Sequence, residues 1–118
     1  MRILLVEPGK KPIEKEINGS LESMQEAVGG LIQAVYPFEE IALVCNDEGK
    51  LMGLPLNRAL RDADGHVYDV IAGTFFLCGA PSDSDSFASL TEAQIKTYSH
   101  VYEKPDRFLR DRHGLMIL

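Results

Sequence analysis

Apolar and polar positions in the first 30 residues predict two strands followed by a helix. The apolar run at residues 3–6 is typical of a buried strand, and the turn signal Pro8-Gly9 ends it. Residues 11–17 alternate between apolar and charged positions, which predicts a second strand with one face in water, paired with the first as a hairpin. Ser20 then predicts a helix N-cap, and Gly29-Gly30 ends the apolar stripe at helical spacing that follows it.

Apolar runs in the middle of the chain predict further strands, over residues 31–36, 41–45, 50–52 and 67–77. Pro37 closes the first of these runs, and a polar turn precedes the short return strand at 50–52. Gly73 predicts a bulge or a close approach of backbone within the last run. The segment between them, 53–65, contains helical fragments among many polar residues.

A second helix is predicted from about residue 90 to residue 102. Ser89 and Glu92 have the spacing of a capping box, in which the serine caps the first turn and the glutamate reaches back. Ile95, Tyr98 and Tyr102 share one face of that helix and predict where it packs.

These elements indicate the α+β class, with an antiparallel or mixed sheet of about five strands and two helices packed on it. The gaps between strands suit hairpins better than the crossovers of a parallel sheet. We expect a single domain over residues 1–103 and a C-terminal tail over residues 104–118. The apolar end of that tail is expected to dock on the sheet or on a partner subunit.

Charge and composition narrow the classes of partner. The chain has 118 residues, is 45% hydrophobic and 25% charged, and carries a formal net charge of −6. The acidity is concentrated in the first 49 residues, which hold nine acidic residues against four basic ones. Because phosphate backbones and anionic lipids both require a clustered basic face, we expect neither nucleic acid nor a membrane as a partner.

The two cysteines and the start of the chain favour a cytoplasmic protein. Cys45 and Cys78 lie in apolar runs without CxxC spacing, which is typical of buried thiols in a reducing compartment. The first apolar run is too short for a signal peptide, and no apolar stretch approaches the length of a membrane span.

The segment around Arg58 is the strongest candidate for a ligand site. Arg58 and Arg61 are three residues apart, so on a helical turn their guanidinium groups point the same way. Two guanidinium groups beside exposed backbone N–H groups suit a phosphate or a carboxylate. We therefore predict an anion-binding site formed by Asn57, Arg58, Arg61 and His66. The alternative is structural: Asn57 is a turn residue, and the arginines pair with carboxylates of Glu39, Glu40, Asp62 or Asp64.

Metal binding and catalysis are less favoured by the residues nearby. Asp62 and Asp64 resemble the start of a calcium loop, but a third early oxygen ligand and the glutamate at the twelfth position are missing. The histidines have neither HxH nor HExxH spacing, so we expect no metal site and no cofactor. His66 with Asp69 leaves a small hydrolase open, although no activated nucleophile stands nearby. We expect a protein that is not an enzyme, in which one or two aromatic side chains stack on a flat ligand.

Six segments resemble one known family. They are residues 1–10, 21–32, 45–50, 53–58, 71–76 and 89–95, of which Gly53-Leu-Pro-Leu-Asn-Arg and Ser89-Leu-Thr-Glu-Ala-Gln-Ile are two. Together they resemble a family of small phage and mobile-element proteins known as a domain of unknown function, family 3846. The resemblance covers about residues 1–103, and it transfers no active-site residue.

The resemblance implies an accessory role in the cytoplasm of a host cell, where phage proteins interfere with antiviral defence. One strategy holds a cyclic or ADP-ribose-type nucleotide signal without cleaving it, and we expect this function from an oligomer of the chain. The alternative is a protein–protein module that inhibits a host enzyme through an acidic face containing Glu39, Glu40 and Glu48.

Overall fold

The computed structural model describes residues 1–118, which form nine strands and two helices. The strands are β1 (Arg2–Val6), β2 (Ile13–Glu16), β3 (Ile32–Phe38), β4 (Ile41–Asn46), β5 (Leu56–Arg61), β6 (Val67–Ala72), β7 (Phe75–Gly79), β8 (Phe108–Asp111) and β9 (Gly114–Ile117). The helices are α1 (Leu21–Val28) and α2 (Glu92–Val101).

Five strands form one antiparallel sheet in the order β2-β1-β7-β4-β3. The other four form two separate antiparallel ribbons, β5-β6 and β8-β9. The predicted α+β class and the five-stranded sheet are confirmed. The two ribbons are additional to that sheet, and the sequence pattern did not reveal them.

The central strands β1, β7 and β4 are buried on both faces, which explains their continuous apolar sequences. Successive side chains of a strand point to opposite faces of the sheet. On β4, Leu43 packs with Leu77 on one face, whereas Val44 packs with Phe76 on the other. Both faces of the sheet are therefore covered by other elements.

Helix α1 covers the face that contains Val44, and both of its predicted caps are confirmed. The Ser20 hydroxyl accepts from the Ser23 backbone N–H at 3.1 Å, and Gly29 ends the helix with φ at 78°. Met24 and Val28 point into the apolar cluster on this face. These features depend on contacts within a few residues, so the local sequence predicts them well.

Helix α2 and the β5-β6 ribbon cover the opposite face. Ile95 and Tyr102 belong to the apolar cluster there, and Tyr98 packs against it, as the predicted helix face requires. Leu60 of β5 and Ile71 of β6 belong to the same cluster. Neither helix combines the length and the apolar character that crossing a membrane requires.

The capping box of α2 lies two residues later than predicted. Thr91 is the N-cap: its Oγ1 accepts from the Gln94 N–H at 3.1 Å, and Gln94 Oε1 accepts from the Thr91 N–H at 2.9 Å. Ser89 instead accepts from the backbone N–H of Arg2 at 2.9 Å, which ties the start of α2 to β1. The prediction was wrong because two overlapping segments satisfy the same pattern and only the long-range bond selects one.

Residues 50–65 depart most from the predictions. Residues 50–52 belong to a turn and not to a return strand, and residues 53–65 contain β5 in place of helical fragments. The pairing of β5 with β6 shifts register between Leu56 and Arg58 and again between Leu60 and Arg61. These bulges break the alternation of apolar positions, so the local pattern hid the strand.

The predicted strand at 67–77 is two strands that belong to different sheets. Gly73 lies between them with φ at 84°, and its N–H donates to the Pro55 carbonyl at 2.7 Å. The special backbone predicted for Gly73 is confirmed, and this residue is where the chain passes from the ribbon into the five-stranded sheet. Strand β3 also runs past Pro37, which an edge strand tolerates at a register shift.

The C-terminal tail forms the β8-β9 ribbon, with Phe108 opposite Ile117 and Arg110 opposite Leu115. Asp106 anchors the tail to β5, since its Oδ2 accepts from the Ala59 backbone N–H at 2.8 Å. The ribbon is not a further strand of the five-stranded sheet.

Candidate binding cleft

Arg58, the centre of the predicted anion site, lies inside the fold with 1% of its surface exposed. Its Nε and Nη2 donate to the Tyr102 carbonyl oxygen at 3.3 and 2.9 Å, and Nη2 also donates to the Lys10 carbonyl at 2.6 Å. Its Nη1 donates to Oδ1 and to the carbonyl oxygen of Asn57, at 2.8 and 3.3 Å. Because a guanidinium group has five N–H donors, Arg58 has none left for a ligand.

Asn57 is neither a turn residue nor an exposed ligand. It is buried on β5, and its Nδ2 donates to the carbonyl oxygens of Val6 and Gly73, at 2.8 and 2.9 Å. Its Oδ1 accepts from Arg58. The amide therefore joins the end of β1 to the bend between β6 and β7.

Arg61 lies at the surface, and its Nη2 binds Asp106 Oδ1 at 2.9 Å. The prediction that Arg58 and Arg61 share a helical turn was wrong, because both are on β5, one with its side chain buried and the other at the surface. The carboxylate that pairs with Arg61 is also none of the four considered from the sequence. Burial lowers the pKa of Arg58 from its ordinary value, and the charge of Asp106 opposes that change.

Arg58 and Arg61 do border a common cavity of about 180 Å³, together with Lys104 and Asp106. Pockets for small molecules usually begin at about 300 Å³. Since the guanidinium donors of Arg58 are already taken, this cavity is a poor site for a nucleotide.

His66 lies on the exposed turn between β5 and β6. Asp62 Oδ1 closes this turn by accepting from the N–H groups of Asp64 and His66, at 3.0 and 2.9 Å. His66 Nδ1 is 3.8 Å from Asp62 Oδ2, whereas Asp69 binds Lys50 Nζ at 2.7 Å. The His66–Asp69 pair that a hydrolase requires is therefore not formed.

The acidic residues of the predicted protein-binding face lie apart. Glu39 and Glu40 precede β4, and Glu48 follows it. A strand of six residues spans roughly 20 Å. Glu40 is further engaged by Ser82, whose N–H and hydroxyl donate to its Oε1 at 3.2 and 3.1 Å. The three carboxylates therefore do not form one continuous face.

The largest cleft of the molecule, here called the ribbon cleft, lies between the β5-β6 ribbon and the β8-β9 ribbon and has a volume of about 1020 Å³. One wall consists of residues 50, 53–56 and 67–70. The other consists of four side chains of the second ribbon, Phe108, Arg110, Leu115 and Ile117. Most of the lining is apolar, which is usual for a site that binds small organic molecules.

Strand alternation determines which side chains of the second ribbon face the cleft. Phe108 and Arg110 are two residues apart on β8, and each is opposite a cleft-lining residue of β9. Leu109 and Met116 form the intervening pair and belong to the outer face of the ribbon. Arg110 therefore stands among apolar cleft residues, beside an aromatic ring.

The ribbon cleft contains one ion pair and one arginine that has no acidic partner. Lys50 and Asp69 bind each other at 2.7 Å and nearly cancel. No carboxylate lies within 4.0 Å of the Arg110 guanidinium, so its charge is free to meet a ligand. Tyr68, 57% exposed, supplies a second aromatic ring on the wall formed by β6.

The model of one family, described as Domain of unknown function (DUF3846), matches residues 1–103. The chain belongs to the DUF3846 family. No curated protein and no solved structure matches it.

The DUF3846 match ends before the β8-β9 ribbon, so only one wall of the cleft lies within the matched region. Residues 50–70 lie within the matched region, whereas Phe108 and Arg110 lie beyond it. The sequence prediction missed this site because it treated residues 104–118 as a tail. The sequence signal that could have revealed it is a hairpin pattern, in which two short strand-like segments flank the turn before Gly114. Gly114 itself has φ at 118°.

Proposed function

We propose that the protein binds a small anionic ligand in the ribbon cleft and releases it chemically unchanged. The observation that carries this proposal is Arg110, an arginine without a carboxylate partner that stands beside Phe108 in a largely apolar cleft of about 1020 Å³. A guanidinium group binds phosphate or carboxylate through two parallel hydrogen bonds. The apolar lining suits the uncharged part of the same ligand.

The ligand we propose is a nucleotide of the cyclic or ADP-ribose type. Such a molecule has both a flat base and a phosphate, and Tyr68 and Phe108 are aromatic surfaces on which a base can stack. The physiological role that we propose for this binding is sequestration of a nucleotide signal of antiviral defence, as the resemblance to phage and mobile-element proteins implies. Lys50 and Asp69 nearly cancel, so the cleft favours ligands that place one phosphate group at Arg110.

Binding without cleavage is favoured over hydrolysis by the positions of the candidate catalytic residues. The His66 side chain is 80% exposed and lies beside Asp62, outside the ribbon cleft. Asp69 is in the cleft, but Lys50 holds its carboxylate. A general base must be within hydrogen-bond reach of the substrate and free to take its proton, and neither side chain meets both conditions.

Calorimetry tests the proposal with three probes: 3′,5′-cyclic AMP, a cyclic di-adenylate and ADP-ribose. We expect heat with at least one of them, and a loss of affinity of about tenfold or more in Arg110→Ala, since a charged hydrogen bond contributes about 1.5–3 kcal/mol. Arg112→Ala is the matched control, because Arg112 is on the same ribbon but does not line the cleft.

Two results would contradict the proposal. One is the absence of heat with all three probes, and the other is an equal loss of affinity in both arginine variants. The bound probe is then recovered by denaturing the complex and is identified by chromatography. Intact recovery supports sequestration, whereas a cleaved product supports an enzyme.

A further inference from the structure

Exposed apolar side chains are concentrated at one end of the molecule. Thirteen large hydrophobic residues are exposed, and eight of them lie on three segments, 51–52, 67–68 and 109–118. Residues of the second and third segments line the ribbon cleft, and the first lies between the cleft residues Lys50 and Gly53. We call these segments together the cleft end. An apolar concentration of this kind marks an interaction surface more often than isolated exposed residues do.

The outer face of the β8-β9 ribbon is the most exposed part of the cleft end. Leu109 and Met116 face each other across the ribbon and are 48% and 50% exposed, and Leu118 beyond them is 63% exposed. A two-stranded ribbon alone is marginally stable in water. Apolar side chains on both of its faces are typical of a ribbon that is covered on the second face as well.

Basic and acidic side chains near the cleft end have opposite charges but form no ion pairs within the chain. The segment 104–118 holds four of the 12 basic residues and only two of the 18 acidic ones. Arg107 and Arg112 have no carboxylate within 4.0 Å, and neither Asp47 nor Glu48 has a cationic partner. Asp47 and Glu48 are exposed on the turn that leads into Leu51 and Met52.

We infer that the cleft end is the docking surface for a second copy of this chain. In a two-fold dimer each surface meets its own copy, so a patch must be complementary to itself. The cleft end fulfils this condition, since a basic apolar ribbon and an acidic apolar turn lie on the same end of one molecule. The ribbon of each copy packs on the turn at residues 47–52 of the other, with Leu109 and Met116 against Leu51 and Met52.

The charges favour a second copy of the chain, rather than an anionic lipid surface, as the partner that covers the cleft end. A membrane would attract the arginines of the ribbon but would repel Asp47 and Glu48 beside it. A second copy satisfies both sets of charges. The inference does not depend on the nucleotide proposal, because it rests on the outer face of the ribbon and not on Arg110 in the cleft.

Sedimentation equilibrium of the full chain tests the inference over a range of protein concentrations. We expect the mass to rise with concentration from 13.1 kDa to twice that value. Met116→Asn is expected to raise the dissociation constant at least about tenfold, as loss of a central apolar contact does. Leu21→Asn is the matched control, because Leu21 is 57% exposed at the start of α1 and lies outside the cleft end.

Charge reversals provide a second set of variants that does not alter the apolar residues. Arg112→Glu and Glu48→Arg are each expected to weaken the dimer, whereas Asp85→Arg, at an exposed acid on the loop between β7 and α2, is not. Added salt should weaken the unmodified dimer in the same direction. Circular dichroism of each variant verifies that the fold is retained.

A chain that remains monomeric at every concentration would overturn the inference, as would equal effects of Met116→Asn and Leu21→Asn. Cosedimentation of a monomeric chain with phosphatidylglycerol vesicles would assign the surface to a membrane instead. A failure of the dimer inference is distinguishable from a failure of the proposed function, because calorimetry with Arg110→Ala reports on ligand binding alone.

Discussion

The guanidinium group of Arg58 binds the carbonyl oxygen of Tyr102, the residue that caps the C-terminal end of α2, through two of its N–H groups. The last carbonyl groups of a helix have no partner within it, and the helix dipole favours a cation at this end. The other donors of Arg58 bind Asn57 and Lys10. One buried side chain therefore joins β5, the end of α2 and the loop between β1 and β2.

Replacing Arg58 with Met should lower the free energy of unfolding by at least about 3 kcal/mol. The methionine fills much of the volume but leaves the carbonyl groups of Tyr102 and Lys10 and the Asn57 amide without a donor, and each buried unsatisfied group costs about 1–3 kcal/mol. Urea unfolding measures the change. Arg107→Met, at an exposed arginine without an ion pair, is the control and should stay within about 0.5 kcal/mol of the parent. Similar losses in both variants would show that Arg58 is not a structural anchor.

Asn57→Asp tests the amide that joins β1 to the β6–β7 bend. A carboxylate cannot donate, so the carbonyl groups of Val6 and Gly73 lose their partner, and we expect a destabilisation of about 2–4 kcal/mol. Asn18→Asp is a matched control, because Asn18 is exposed and its Oδ1 only accepts, from the Ser20 N–H. Thermal unfolding compares the two, and an unchanged midpoint in Asn57→Asp would contradict the assigned role.

Gly73→Ala should destabilise the fold by about 1 kcal/mol more than Gly65→Ala. Both glycines have φ at 84°, so both substitutions carry the left-handed backbone cost of about 1–2 kcal/mol. Only the Cβ at residue 73 meets a neighbour, at 2.7 Å from Leu54 Cδ1, whereas the Cβ at residue 65 meets open space. Chemical denaturation measures both costs. In a Leu54→Ala background the two substitutions should cost the same, and a persisting difference would contradict the steric cause.

The stability of the protein should fall as pH rises from about 9 to about 12. Burial raises the pKa of the Cys78 thiol from 9.0 to about 12, and burial also raises the pKa of Cys45 and of Tyr102. Above pH 9 the unfolded chain releases the Cys78 proton while the folded chain retains it, so each pH unit costs at most about 1.4 kcal/mol per group. Below pH 9 both states hold the proton, and this contribution to stability is fully present.

Cys78→Ala should reduce that alkaline slope without abolishing it, because Cys45 and Tyr102 act in the same direction. Urea unfolding at several pH values between 8 and 11 measures the slope for parent and variant. Identical slopes would show that Cys78 does not titrate as its burial implies.

Features that depend on neighbours in the chain were predicted correctly from the sequence. Ser20 and Gly29 cap α1 as expected, because capping bonds reach only a few residues. The apolar face of α2 was predicted for the same reason. The central strands were recognised because burial on both faces requires a continuous apolar run.

The candidate sites could not be predicted in the same way. The sequence places Arg58 three residues from Arg61, but whether that spacing brings their side chains together depends on whether the segment is a helix or a strand. The pairing of β5 with β6, and the two register shifts within it, decide this. Both are long-range features, and no local propensity encodes them.

The sequence by itself determined an acidic α+β chain of the DUF3846 family, with its central strands and the limits of its first helix. Only the tertiary structure decided that Arg58 is an internal anchor and that Arg110 stands free in a cleft. The physical reason is that the role of a cation depends on which partners surround it. The distant carbonyl groups of Tyr102 and Lys10 take three of the five Arg58 donors and Asn57 takes the other two, whereas no carboxylate lies within 4.0 Å of Arg110.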